Sequence, residues 1–126
     1  MFAIDHNSPV PLYEQVRTQI LALITCGALK PGDRLPSLRE LAGELSLNFN
    51  TIKKVFARLE EDGVIVSRQG SGFFVADGAR ENKVVQARAE DELLRTLERA
   101  RAAGLTEARA EALLRSVFGG TNTEGK

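Results

Sequence analysis

The run Arg68–Phe74 combines a cation, an amide and flexible backbone, a set that could serve phosphate chemistry. It reads RQGSGFF, with two glycines around a serine. Such a loop could cradle a phosphate for catalysis or merely turn a β-hairpin. A phosphate-cradling loop needs a strand before it and a helix after it, whereas Phe73, Phe74 and Val75 continue as strand. A nucleotide-handling enzyme is therefore the weaker interpretation, and tight ATP binding would be needed to revive it.

The supply of catalytic side chains is small. Cys26 is the single cysteine and His6 the single histidine, so no internal disulfide, cysteine metal cluster or imidazole-based triad is expected. We expect no catalytic residue, no metal and no cofactor. Cys26 is predicted to be a small buried hydrophobe, with redox sensing as the alternative. Cysteine usage of this kind favours a reducing cytoplasm.

Length and charge limit the classes of function. The 126 residues suffice for one ordinary domain, or for one small domain with an appendage. There is no apolar run of about 18 residues that could cross a membrane, and the N-terminus lacks the basic and apolar blocks of a signal peptide. With 17 basic and 17 acidic residues, any nucleic-acid binding must depend on a local patch.

Apolar residues at three- and four-residue spacing predict three helices in the first half of the chain. Gly27 is expected to end the first. Ser37 and Glu40 can form a capping box at the start of a short second helix. Asn48 is a suitable N-cap for the third, which Gly63 would end. The predicted buried stripes are Leu12, Val16, Ile20, Leu23 and Ile24; Leu38, Leu41, Ala42 and Leu45; and Ile52, Val55, Phe56 and Leu59.

Two short β-rich segments follow the helices. VIVSR at 64–68 and GFFVA at 72–76 flank Gln69, Gly70 and Ser71, a pattern typical of an antiparallel hairpin. Three helices followed by a hairpin is the order of a winged helix-turn-helix, whose third helix enters a DNA major groove. The predicted fold class is thus mainly α with a small β-hairpin.

The predicted third helix has a polar outer face. Turning its apolar stripe inward places Asn50, Lys53, Lys54 and Ala57 outside. Asn can pair with adenine edges, Lys with guanine edges or phosphate, and Ala57 leaves room for close approach. The alternative is a solvated polar face.

Two further groups could contact DNA. Ser37 and Arg39 occupy the first turn of the second helix, where free amides suit a backbone phosphate. Arg68 and Gln69 precede the hairpin glycines, where they could meet phosphates or a minor groove. The alternatives are an ordinary surface cation and a solvent-exposed turn.

The segment from Gly27 to Val75 resembles the DNA-binding domain of GntR-type bacterial transcription regulators, a likeness that extends over Ser8–Ala76. Its most specific parts are PGDRLPSLRELA, the NFNTIKK opening of the third helix, LEEDGVI and RQGSGFFV. The resemblance implies DNA contacts at Arg39, Asn50, Thr51, Lys53, Gln69 and Gly70. The full predicted DNA-binding set is Ser37, Arg39, Asn48, Asn50, Thr51, Lys53, Lys54, Arg68, Gln69 and Gly70.

Phe49 departs from the family pattern, in which most members carry Arg after the cap, or Pro in the variant NPNT. The aromatic ring leaves the base preference open. Phe49 is expected to pack beside the helix as additional core, and the alternative is contact with a thymine methyl group.

Residues 80–118 are predicted to form a two-helix dimerisation region, and 119–126 a disordered tail. Thr106 is a possible cap for the second of these helices. The short tail resembles the YtrA-type subfamily, which implies helices that pair between two chains. Folding back onto the chain's own winged domain is the alternative. The predicted dimerisation residues are Leu93, Leu97, Leu113, Leu114, Val117 and Phe118.

The predicted function is a homodimeric, sequence-specific repressor bound to an inverted-repeat DNA operator. Winged domain 8–76 would bind the double-stranded DNA. A protein-interaction module is the alternative from another class. An unknown small-molecule effector could bind between the tail and the winged domain, but no residue set marks a pocket.

Overall fold

The computed structural model describes residues 2–119, with the last helix assigned through Gly125. The elements are α1 Leu12–Thr25, α2 Leu38–Leu45, α3 Phe49–Glu61, β1 Ile65–Arg68, β2 Gly72–Val75, a single 3-10 turn Ala79–Glu81, α4 Lys83–Ala102 and α5 Glu107–Gly125. This order confirms the predicted class, mainly α with one hairpin. Of the segment predicted to be disordered, 119–126, all residues after Gly119 lie outside the described residues. Its disorder stays a prediction.

Local capping signals set the helix ends as the sequence predicts. The Ser37 hydroxyl accepts a hydrogen bond from the Glu40 amide, and the Glu40 side chain accepts one from the Ser37 amide, both at 3.0 Å. Asn48 caps α3. Gly63, with a φ of 80°, follows the last turn of α3, where the left-handed backbone favours glycine.

The core lies where the three helices meet the hairpin. Ile52, Val55, Phe56 and Leu59 of α3 are fully buried, as their spacing predicts. Phe56 also meets Phe73 of β2 edge-to-face, with ring centroids 5.0 Å apart. Because α3 is held along this entire face, its opposite face has a fixed direction.

β1 and β2 form the predicted antiparallel hairpin, with Val66 opposite Phe74. A third segment, 32–35, lies along the outer edge of β2 and was not predicted. The Leu35 amide donates to the Phe73 carbonyl at 2.9 Å, and the Val75 amide donates to the Asp33 carbonyl at 2.8 Å. The hairpin is therefore extended by a strand-like stretch from the turn before α2.

The chain divides into two compact units, Met1–Ala89 and Glu90–Lys126. The first extends beyond the predicted domain 8–76 at both ends. Phe2 and Ile4 pack against its core on the N-terminal side, and Ala79 and Val85 are buried in it on the other. Apolar side chains outside the helical pattern thus enlarge the winged unit.

In the second unit, a tight turn separates α4 from α5. Gly104 has a φ of 108°, and the Leu105 amide donates to the Ala100 carbonyl at 2.9 Å, which closes the end of α4. The Thr106 hydroxyl accepts a hydrogen bond from the Arg109 amide at 3.2 Å and caps α5 as predicted. No helix among the described residues is long and apolar enough to cross a membrane.

Candidate nucleic-acid interface

The outer face of α3 is polar and solvent-exposed. Asn50, Lys53 and Lys54 are exposed and Thr51 is partly buried, on the helix whose opposite stripe is fully buried. Ala57 is exposed on the same side. The face therefore offers an amide and two ammonium groups beside a small side chain, a combination suited to base edges and phosphates.

Asn48 has a defined structural contact at the start of α3. Its side-chain oxygen accepts a hydrogen bond from the Asn50 amide at 2.7 Å. Because the oxygen is engaged, the exposed side-chain NH₂ is the part of Asn48 left to donate to a ligand.

The start of α2 combines a capping box with an exposed cation. The Ser37 backbone amide, and next its hydroxyl, hold the pKa of Glu40 below its usual value, with a smaller contribution from the positive charge of Arg34 in the same direction. The box engages the amides of Ser37 and Glu40. Those of Leu38 and Arg39 have no acceptor within the helix, so an anion could bind them.

Phe49 is not part of the core, and the expectation that it packs there was wrong. The residue is 37% exposed. The Arg39 guanidinium carbon lies 5.3 Å from the centroid of its ring. As the first residue of α3, Phe49 precedes the buried stripe and faces the first turn of α2.

The hairpin of β1 and β2 is called the wing here, and its tip is formed by Gln69, Gly70 and Ser71. The Ser71 amide donates to the Arg68 carbonyl at 2.9 Å, and Gly70 has a φ of 77°, which a side chain would oppose. Gln69 and Gly70 are exposed. The Arg68 guanidinium lies 4.6 Å from the Phe74 ring centroid, on the outer face of the wing.

Two close approaches between the wing and other parts of the chain were not predicted. The Ser67 amide and hydroxyl both donate to one carboxylate oxygen of Glu60, at 3.2 and 2.7 Å. On the other strand, the Arg34 guanidinium lies so close to Gly72 that a Cβ there would be 3.4 Å from its Nε. Neither pair has a local sequence signal, since each joins residues from different elements.

The end of α1 contributes to a shallow recess in the first unit. Its lining residues are Ile24, Thr25, Cys26, Gly27, Arg80, Val85, Gln86 and Ala89. Cys26 is exposed, so the expected buried role was wrong. As the residue that ends α1, it lies beyond the last inward-facing position, Ile24. In the described part of the chain, no cluster of His, Cys, Asp and Glu could hold a metal ion.

Comparison with known families assigns the winged unit. The family profile "Bacterial regulatory proteins, gntR family" matches residues 12–75, just over half of the 126 residues. The chain belongs to the gntR family. The matched range runs from the first residue of α1 to the last residue of β2. It therefore contains every predicted DNA-binding residue.

Individual gntR relatives agree with this assignment. "HTH-type transcriptional repressor YtrA" of Bacillus subtilis is 41% identical over 80 residues, which cover 64% of this chain and 62% of that protein. The solved structure "YtrA from Sulfolobus acidocaldarius, a GntR-family transcription factor" is similar to this chain over 96% of its length and 99% of that chain, with 32% identity and a TM-score of 0.59. The match covers about three fifths of the length of each of three curated relatives, of which YtrA of Bacillus subtilis is one.

A further gntR-type neighbour was solved with DNA. "AraR(DBD) in complex with operator ORX1" matches 60% of this chain and 96% of that chain, with 30% identity and a TM-score of 0.55. The relatives are named as transcription regulators rather than enzymes. They confirm the predicted class, a DNA-binding transcription regulator with a winged helix-turn-helix.

Proposed function

We propose that this gntR-family chain is a cytoplasmic, homodimeric repressor that binds an inverted-repeat DNA operator through α3 and the wing. One observation carries the proposal: the exposed amide and ammonium groups of α3 lie directly opposite its fully buried stripe. A helix anchored in this way can present Asn50 and Lys53 to a major groove without losing core contacts. The repressor YtrA of Bacillus subtilis supports the direction of regulation.

The exposed groups would divide into base and phosphate contacts. Asn50 and Lys53, one turn apart on α3, are proposed to meet base edges. Phosphates would be bound by Lys54 and by the start of α2, where Arg39 and two amides without helical acceptors lie together. Lysine is also a common phosphate ligand, so the role of each lysine is a matter for measurement.

The wing would supply the second contact with DNA. Gln69 and Gly70 are exposed at its tip, and Arg68 lies on its outer face against Phe74. Flexible backbone at Gly70 permits close approach to a phosphate or to the minor groove. Thr51, Ser37 and the NH₂ group of Asn48 complete the proposed surface.

The exposed apolar residues of α4 and α5 support dimerisation. The predicted set is exposed throughout: Leu93 55%, Leu97 40%, Leu113 43%, Leu114 53%, Val117 67% and Phe118 62%. Leu94, at 59% exposure, adds to it. A group of large apolar side chains of this extent is typical of an interaction surface. A second copy of the chain would bury them and pair two α3 helices, which calls for an operator with two-fold symmetry.

Selection of bound DNA from a random pool with the purified protein tests these points together. We expect recovery of one motif made of two inverted half-sites. Recovery of an asymmetric motif would contradict the dimeric part of the proposal, and recovery of no motif would contradict sequence-specific binding.

Lys53→Ala then tests the assigned helix on the recovered operator. We expect a loss of about 1–3 kcal/mol in binding free energy for each half-site if Lys53 meets a base, concentrated on one position of the half-site. Lys83→Ala, which removes an exposed lysine at the start of α4, is the matched control. Equal affinities for the wild type and Lys53→Ala would show that α3 does not bind the operator as proposed.

A further inference from the structure

Arg39 and Phe49 connect the first turns of two successive helices. Arg39 is the second residue of α2, Phe49 is the first of α3, and the guanidinium carbon lies 5.3 Å from the ring centroid. A cation within about 6 Å of a ring centroid is attracted to the negative face of the ring. The contact therefore holds the cation at the start of α2, where two backbone amides have no acceptor within the helix.

Arg39 has no competing partner among residues 2–119. It forms no ion pair and no side-chain hydrogen bond there, so the Phe49 ring is its defined contact. The neighbouring carboxylate of Glu40 is engaged by the Ser37 amide at 3.0 Å. The five N–H donors of the guanidinium thus stay available for a ligand while the ring restricts where the group lies.

Phe49 contributes little to the core, which leaves its aromatic character unexplained by packing. The residue is 37% exposed. A long arginine side chain loses rotamer freedom when it binds a phosphate, and a ring that already holds it reduces that loss.

We propose that Phe49 is a positioning residue that holds Arg39 ready to bind a backbone phosphate of the operator at the start of α2. The proposal rests on the proposed function. Phe49 would act through the guanidinium, so its effect on DNA affinity should vanish when Arg39 is replaced. If the ring instead contacted a thymine methyl group directly, replacing Phe49 would still weaken DNA binding after Arg39 had been replaced.

The contact can be tested first in the free protein. Phe49→Leu keeps an apolar side chain but removes the ring, and Phe49→Tyr keeps the ring. We expect the Arg39 Nε–H resonance to lose its ring-current shift in Phe49→Leu and to keep it in Phe49→Tyr. An Arg39 resonance unchanged by Phe49→Leu would show that the ring does not hold the guanidinium, and would overturn the proposal.

A double-mutant cycle on the selected operator tests the consequence for DNA binding. We expect Phe49→Leu in the wild-type background to weaken binding about threefold for each half-site, the range of an exposed cation–π contact, and therefore about tenfold for the dimer. In the Arg39→Ala background the same change should have no effect. Phe49→Tyr should retain wild-type affinity. The unfolding midpoint of each variant shows whether the fold itself has changed.

The outcomes separate the two proposals. A loss with Phe49→Leu that is equal in both backgrounds would overturn the positioning role and indicate that the ring contacts DNA itself. A loss with Arg39→Ala but none with Phe49→Leu would overturn it while the proposed DNA surface stands. Operator affinity unaffected by Arg39→Ala would refute both the positioning role and the assigned phosphate contact.

Discussion

The carboxylate of Glu60 on α3 accepts two hydrogen bonds from Ser67 on β1, one from the amide at 3.2 Å and one from the hydroxyl at 2.7 Å. This pair joins the helix proposed to enter the major groove to the wing proposed to lie beside it. The distance between the two proposed DNA contacts is thus set by side-chain hydrogen bonds as well as by the core.

Removal of this tether should loosen the wing. We expect Glu60→Ala to lower the free energy of unfolding by about 1 kcal/mol, because the two Ser67 donors lose a charged acceptor. Operator affinity should fall as well, because a more mobile wing loses more entropy on binding. Urea unfolding and operator titration measure the two effects.

Two further variants control for charge. Glu61→Ala removes a neighbouring exposed carboxylate on α3 and should leave both quantities near the wild-type values. Glu60→Gln removes the charge but keeps an acceptor, so it separates repulsion of DNA from loss of the tether. Equal unfolding free energies for Glu60→Ala and Glu61→Ala would show that the Ser67 contact does not stabilise the wing.

Lys54→Ala should change the salt dependence of operator binding. If the Lys54 of each subunit neutralises one phosphate, the slope of log K against log salt for the dimer should become shallower by about 1.8, which is about 0.9 for each subunit. Affinity should fall to a similar degree for the operator and for unrelated DNA. Titrations at several salt concentrations measure the slope, with Lys83→Ala as the control. A slope identical to that of the wild type would rule out a phosphate contact at Lys54.

Leu97→Gln should weaken self-association. Leu97 is 40% exposed on α4, and replacing a leucine that becomes buried in a dimer loses apolar contact in both copies. We expect the dimer dissociation constant to rise about tenfold or more, measured by sedimentation across a concentration series. Ala102→Gln, on a different face of α4, is the control. Equal dissociation constants for the two variants would place the dimer interface elsewhere.

The Glu40 capping contact predicts a pH dependence of stability. Since folding lowers the pKa of Glu40, its stabilising contribution is complete above the usual glutamate pKa and is lost as pH falls through the lowered value. Acidification should therefore reduce the unfolding free energy of the wild type more steeply than that of Glu40→Gln. Unfolding at a series of pH values checks this, with Glu44→Gln as the control. Parallel curves for wild type and Glu40→Gln would contradict the prediction.

Elements governed by local signals were predictable from the sequence. The capping box at Ser37, the Asn48 cap and the glycine after α3 each depend on residues within one turn, so their chemistry can be read from spacing alone. The wing also follows from adjacent residues. The buried stripe of α3 then determines which of its residues face outward.

Contacts between distant parts of the chain could not be predicted in the same way. Segment 32–35 pairs with β2 across some forty residues of sequence, and nothing in its Pro-Gly turn indicates a strand partner. The packing of Phe2 and Ile4 could not be predicted either. Their segment is held by the side chain of Gln19, which accepts a hydrogen bond from the Ala3 amide and donates one to the Ala3 carbonyl. The prediction for Phe49 was wrong for a different reason. An aromatic residue at a helix start is usually predicted to pack in the core, and the sequence does not show that the Arg39 guanidinium lies against its ring.

The contacts made by segment 32–35 and by Glu60 also affect how readily the protein aggregates at high concentration. A two-stranded hairpin has two open edges, and unpaired strand edges are sites where chains join into aggregates. Here the edge of β2 is covered by the chain itself, and the outward amide of Ser67 on β1 is occupied by a carboxylate. The wing can therefore extend toward DNA and still resist edge-to-edge pairing with the wing of another molecule.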